Sequence, residues 1–358
     1  MHVARLSSFI AFMLCTQLAR GDPFKYEFLL LPSAQAIGTF DRQAPSTQVQ
    51  DEVVQVDTLF TLQRGPLKLF GEYLRSDHEG DLERLQLGWQ LSDDTILWIG
   101  RFHQPASVWN HDHHHGQYLQ TSVSRPAIDE WEDIGGLLPQ HFAGALLESG
   151  APVFSTWHLR MALAGGIAPQ ITPHGMEPFD LLHPDSNRHQ MGFQGRVSLH
   201  PGEFTETGVG ILLANDELTA VEFQSPALVG FDHVDLKLLG VFATYAAATW
   251  KVTATIYDAS ARLFYTTYRI DDSFAVGYVQ GEYRLAHALT GFARWEDSAR
   301  AASSPYLHLF QQVARSRQVA GLRWDFAGRQ ALTLQFTKSH TLDGHYSDLR
   351  IQWSAAFF

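Results

Sequence analysis

The chain is short of three things: cysteine, long apolar runs and basic charge. Its single cysteine, Cys15, lies inside an opening stretch that reads as an export signal. Met1, His2 and Arg5 give a weakly basic start, Phe9–Leu14 a short apolar core, and Ala19-Arg20-Gly21 small residues where a signal peptidase cuts. Removal of residues 1–21 leaves a chain without thiols, which excludes disulfide scaffolds, cysteine zinc sites and thiol nucleophiles and suits an oxidising compartment. No apolar run approaches the roughly 20 residues that a membrane-spanning helix needs. The mature chain keeps 24 basic against 38 acidic residues, a net charge of −14, which disfavours nucleic acid as a partner. Phosphate-loop, nucleotide-binding and nucleophile-elbow motifs are absent as well, so no enzymatic role is expected.

What the chain has is alternation. In LERLQLGWQL, Leu85, Leu87, Trp89 and Leu91 share one face of a strand, and Gln86, Gly88 and Gln90 the other. Trp157, Leu159, Met161 and Leu163 repeat the pattern, as do Leu332, Leu334 and Phe336, and Leu349, Ile351 and Trp353. Period two over so many windows predicts an all-β chain. Sixteen segments carry it: 24–31, 52–62, 67–76, 82–91, 94–103, 140–149, 155–165, 189–199, 204–214, 234–246, 249–259, 272–285, 289–298, 314–326, 330–341 and 345–357. Their links alternate between short ones, such as QRGP, SD and AGR, and mostly long ones: 32–51, 77–81, 104–139, 166–188, 215–233, 260–271, 299–313 and 342–344.

An even strand count with short turns at one end and long loops at the other predicts a closed antiparallel transmembrane β-barrel. A soluble sandwich or propeller accounts for alternation equally well. A propeller, however, needs a repeat of roughly 40–50 residues, and none is present. Inferred inner faces also carry charges that a dry core does not tolerate: Glu282 and Arg284, Arg294 and Glu296, Arg323 and Asp325, with Lys251 and Arg350. These eight are the candidate lumen-lining residues. Trp89, Trp98, Trp157, Trp250, Trp295, Trp324, Trp353, Tyr73, Tyr245 and Tyr283 are candidates for interfacial girdles.

With its export signal, sixteen alternating segments and terminal Phe358, the chain resembles the Gram-negative porin-type outer-membrane barrel over nearly its whole mature length, residues 22–358. The resemblance implies an outer-membrane location among lipid and lipopolysaccharide, insertion by the barrel-assembly machinery through the last strand, and a homotrimer. The terminus departs from the usual pattern. Ala356, Ser354 and Gln352 stand at every second place back from Phe358, while Phe357, Trp353 and Ile351 share the apolar face. Either the end is bulged or Phe357 holds the register. Residues 101–144 are also similar to a segment of uncharacterised porin-like proteins.

The longest link, 104–139, is the candidate constriction loop, with Arg125, Asp129, Glu130, Glu132 and Asp133 as its charges. It also holds WNHDHHHG. His111, Asp112, His113, His114 and His115, with His103 and His141 at the flanking strand ends, form a candidate zinc or copper site. The same imidazoles would gain charge as pH falls below about 6.5 and repel cations. The expected function is passive diffusion of small hydrophilic solutes or ions, with no required cofactor. The alternatives are a zinc or copper pore using the histidines and, in another class, a secreted β-rich metal-binding or adhesive protein.

Overall fold

The computed structural model describes residues 23–43, 52–77, 80–113, 117–129, 138, 141–154, 156–172, 175–182, 189–203, 205–221, 230–310 and 313–358. Eighteen strands run in chain order: β1 Lys25–Phe40, β2 Glu52–Arg64, β3 Leu67–Ser76, β4 Gly80–Ser92, β5 Thr95–His103, β6 His141–Val153, β7 Trp157–Ile167, β8 Gln170–Thr172, β9 Gly175–Glu177, β10 Met191–His200, β11 Gly208–Ala220, β12 Phe231–Ala246, β13 Trp250–Tyr265, β14 Arg269–Ala286, β15 Leu289–Ala299, β16 Ala314–Phe326, β17 Gln330–Thr341 and β18 His345–Ala355. All but β8 and β9 pair antiparallel with their neighbours in one ring, closed where β1 pairs with β18 from Ser33↔Ser354 to Phe40↔Ser347. Closure leaves no free sheet edge, which any strand crossing hydrocarbon requires. The β8–β9 hairpin belongs to the link after β7, and β8 runs parallel to the end of β11.

The strands outrun their sequence signal at several ends. β1 continues to Phe40 through the small residues Ala34, Ala36 and Gly38, so 32–40 is strand and not link. The stretch 260–271, expected as a long loop, is mostly ladder. β13 reaches Tyr265 and β14 starts at Arg269, leaving three residues between them. β11 likewise extends to Ala220. Lengths are therefore uneven: β3 has 10 residues and β5 has 9, while β12 and β13 have 16 each and β14 has 18. A crossing takes only about 9–11.

Alternate residues turn outward in an exposed apolar band, including Val209, Ile211 and Leu213 on β11, Leu239 and Val241 on β12, and Leu349 and Ile351 on β18. Trp157, Trp250, Trp295, Trp324, Tyr73, Tyr245 and Tyr283 are exposed at its margins. Trp98 is not. It is buried inside the barrel, 5% exposed, with its indole N–H donating to Glu148 at 2.8 Å. At the C-terminus the regular ladder stops at Ala355, and a single bridge resumes between Phe357 and Leu30, two N–H···O bonds of 2.9 Å. That bridge continues the register of Ser33↔Ser354 without a shift, so the end is not bulged and Phe357, not Phe358, holds the register.

The interior is not uniformly wet. The inner faces of β11–β14 present Leu212, Leu218, Val234, Leu236, Leu238, Tyr257, Leu263, Phe274, Val276 and Tyr278, all buried. Links folded into the barrel cover them: Ala106, Trp109 and Ile128 from the link after β5, Ile171 and Met176 from the β8–β9 hairpin, and Tyr306, Leu307, Leu309 and Phe310 from the link after β15. The charged lining expected on other inner faces does not extend to this side. Here both strand faces are apolar, the outer against lipid and the inner against the chain's own links.

Candidate functional site

The link after β5 crosses the lumen and fastens to the far wall. Ser107 caps a short helix, α1 (Val108–Asp112), accepting from the Asn110 N–H at 3.1 Å. Just before it, the Tyr257 hydroxyl donates to the Ala106 carbonyl at 2.7 Å. Trp109 then packs edge-on against Tyr278, with the Arg294 guanidinium 5.6 Å from its ring centre.

Beyond α1 the described residues of the link hold only one short 3-10 turn, Ala127–Asp129, so their backbone polar groups need partners from elsewhere. Side chains on β14–β18 supply them. Arg294 donates to the Ser124 carbonyl at 3.0 Å, the Arg125 carbonyl at 2.7 Å, the Ser122 hydroxyl at 3.0 Å and the Ser124 hydroxyl at 2.9 Å. Its Nε is held by Glu296 at 2.7 Å. Arg317 joins Glu296 at 2.8 Å and also reaches the Arg125 carbonyl. Glu296 in turn accepts from the Ala127 N–H at 2.5 Å. Arg323 donates to the carbonyls of Tyr118 and Gln120 at 2.8 and 2.5 Å. Gln335 accepts from the N–H groups of Val123 and Ser124, and Thr121 donates to Glu282 at 2.7 Å. Guanidinium suits the task because its planar fork of donors serves several acceptors at once.

Of the expected lumen residues, Lys251, Glu282, Arg284, Arg294, Glu296, Arg323, Asp325 and Arg350 all lie on the inward side of their strands' alternation. They divide by environment. Arg294 and Glu296 are fully engaged with the link and face no water, 2% and 4% exposed. Lys251, Glu282 and Asp325 remain open to the lumen, with Lys251 paired to Glu206 at 2.7 Å and Asp325 to Arg323 at 2.9 Å. Arg350 pairs with Asp348 at 2.8 Å.

Of the expected constriction charges, Glu130, Glu132 and Asp133 lie outside the described residues. Asp129 is 2% exposed and accepts from the Ser107 hydroxyl. Burial, reinforced by Glu296, pushes its carboxyl up to about 7, against the opposing pull of Ser107, Arg125 and Arg294. Arg125 offers its carbonyl to the wall. Asp129 thus presents no open charge, and Arg125 is half-buried.

The histidine stretch divides as well. His114 and His115 lie outside the described residues. His111 bridges two carboxylates, Asp112 at 2.8 Å and Glu148 on β6 at 3.3 Å, so the link is tied to both sides of the barrel. Burial and Arg196 act to lower the His111 imidazole, yet its bonds to Asp112 and Glu148 outweigh them and hold it above the usual range. Burial lowers His113, whose ring lies 4.8 Å from that of Trp109. His103 and His141 face each other across the β5–β6 ladder with ring centres 5.2 Å apart; His103 lies 3.6 Å from Glu72 and His141 2.9 Å from Glu83. They do not join His111 or His113. Among the described residues, no group of three or more histidine, cysteine, aspartate or glutamate side chains is placed to hold a metal ion.

The sequence reading missed Glu148, Arg196, Arg317 and the buried carboxylates Asp57, Glu72 and Glu83, with half-buried Arg84 paired to Glu72. Asp57, Glu148 and Arg196 are lone charges among apolar or neutral strand neighbours, so alternation alone could have flagged them only as lone polar residues.

No family profile matches the sequence, and no curated protein does either. Solved structures do match in shape. The trimer form of OmpT, an outer membrane protein of Vibrio cholerae, covers 94% of this chain and 100% of its own at 11% identity, with a TM-score of 0.59. An anion-selective porin from Comamonas acidovorans covers the same shares at 10% identity, with a TM-score of 0.58. The outer membrane channel DcaP of Acinetobacter baumannii covers 94% of this chain and 98% of its own at 10% identity, with a TM-score of 0.51. The fold is that of a porin-type outer-membrane β-barrel.

Proposed function

We propose that the protein is an outer-membrane channel for passive diffusion of small hydrophilic solutes or ions, not an enzyme. One observation carries this reading: an otherwise closed barrel has its longest described link bonded across the lumen, which narrows the path without removing the charged lining. On this reading the short turns are periplasmic and the long links extracellular. Lipid and lipopolysaccharide surround the apolar band, the barrel-assembly machinery reads the last strand, and trimers are the expected assembly.

His111, Asp112, Glu148, Lys251, Glu282, Arg323, Asp325 and Arg350 then border the solute path. Most of these stand in neutralising pairs. Pairing predicts weak charge selectivity, with size as the main filter. A metal-selective path gains nothing from His103, His111, His113 and His141, whose partners are carboxylates and rings. Single-channel recording on the refolded protein in planar bilayers tests the proposal. Stepwise conductance with a small reversal potential under a salt gradient is expected. An insulating bilayer, or a protein recovered in the soluble periplasmic fraction, overturns it.

A further inference from the structure

The arginines that hold the link spend their donors on carbonyl and carboxylate groups; Arg196 spends none. It stands on the inward face of β10, shared with buried Gln194, Ser198 and His200, and is itself half-buried. Among the described residues its guanidinium makes no hydrogen bond and no ion pair. Asp112 and Glu148 lie within its electrostatic reach. Both are already bonded to His111, at 2.8 and 3.3 Å, and Glu148 takes a second bond from the Trp98 indole. Neither closes on Arg196.

The ladder sets what surrounds it. Arg196 stands opposite Ala162 on β7 and Leu212 on β11, both buried and apolar, so its charge rises from a floor that offers no counter-charge. Two places further along β10, Ser198 stands opposite Arg160 of β7. Arg160 is therefore the diagonal neighbour of Arg196, about 7–8 Å away from one backbone to the other. Its donors go to the carbonyls of Glu203 and, at 3.5 Å, Thr205, which are neutral acceptors and leave its charge unanswered. Among the described residues no carboxylate pairs with Arg160 either. Two like charges on neighbouring strands repel. An oxyanion between them removes that repulsion, and a planar guanidinium offers it parallel N–H donors.

We infer that Arg196, with Arg160 beside it, forms a binding site in the solute path for a small oxyanion, the carboxylate or phosphate group of a passing solute. The inference rests on the diffusion reading and deepens it. Paired charges along the rest of the lining leave selectivity weak, and this one site decides which solutes pause. The apolar floor of Ala162 and Leu212 strengthens the contact by lowering the local dielectric. Passage requires that the hold stay weak enough for release. The open lumen around a half-buried guanidinium supplies the water that keeps it so.

The test uses the refolded full-length protein in planar bilayers with potassium chloride, to which acetate, inorganic phosphate or, as a neutral control, glucose is added. A saturable fall in single-channel current with acetate or phosphate is expected, and none with glucose. Block by acetate alone assigns the site to carboxylates, block by phosphate alone to phosphate groups, and block by both to their shared chemistry. Arg196→Gln, which breaks no bond in the fold, raises the half-blocking concentration about tenfold. Arg196→Lys keeps the charge but loses the fork, and falls between. Arg160→Gln shifts it less, because that side chain already serves the turn after β10. All three variants keep the heat-dependent gel shift of a closed barrel. A conducting channel that neither anion blocks, or equal block of the unaltered and Arg196→Gln channels, overturns the inference and leaves the diffusion reading standing. An insulating bilayer in chloride alone overturns both.

Discussion

Two inner walls of this barrel hold folded-in chain by opposite means. Over β11–β14 the contact is apolar, Leu236, Leu263 and Phe274 against Tyr306, Leu307 and Phe310, and its strength scales with area. Over β15–β17 it is a set of directed bonds, three arginines and Gln335 against carbonyl, hydroxyl and N–H groups of residues 118–127. An apolar seat has no proton or ion to lose, so it fixes structure permanently. A polar seat placed in a charged lumen answers to pH and to substitution, which suits the part of the chain that sets the width of a path.

Replacing Arg294 breaks the comparison most severely. Arg294→Ala takes one of its two guanidinium partners from Glu296 and the donor from link carbonyls in a buried setting, at a cost of about 3–5 kcal/mol. The expected result is a link released from the wall, higher single-channel conductance and new protease cleavage within 118–127, with the barrel itself intact. Leu236→Ala acts on the other wall and costs about 2–5 kcal/mol. It should lower the temperature of the gel shift and leave conductance as it was. If both substitutions changed conductance alike, the two walls would not differ in role.

Proton linkage gives a smaller effect. Asp129 is neutral in the folded link below about 7 and ionises above it, whereas an exposed aspartate ionises near 4. The folded link therefore binds the extra proton between those values, gains stability as pH falls from 7 towards 4, and loses that gain as pH rises through 7. His111 acts in the same sense. Its raised imidazole keeps the Asp112–Glu148 bridge charged at acid pH and loses it as pH climbs through that raised value. Hydrogen exchange in the link should be faster at alkaline pH, and Asp129→Asn should flatten the dependence near 7. Least of all, Lys251→Ala removes one half-exposed pair with Glu206, worth about 0.2–1 kcal/mol. Reversal potential should move slightly towards cation preference, with stability unchanged.

The barrel was legible because lipid on one side and polar or packed interior on the other impose period two on every strand. Strand ends were not. Pro32, Gly38 and the run Ala259-Ser260-Ala261 resemble link composition, yet they are ladder residues, because small side chains fit where another strand or a folded-in link lies close. Trp98 shows the limit in another way: alternation marks a face but does not say whether a tryptophan there meets lipid or a carboxylate. The site was legible only as a segment. Charge content marked 104–139 as the link that matters, but the side chains holding it, Arg294, Arg317, Arg323 and Gln335, lie about 170–210 residues away in sequence, and nothing local announces which of them point at a carbonyl.

That separation carries a consequence for biogenesis. The crossing segment leaves the wall between the fifth and sixth strands, but its anchors belong to the last third of the polypeptide, and the seam that seals the cylinder joins the first strand to the final one at Leu30 and Phe357. Contacts so remote along the chain come late. The molecule must therefore take its own cargo of backbone aboard before the seam shuts, and whatever escorts it to the membrane has to hold both in waiting.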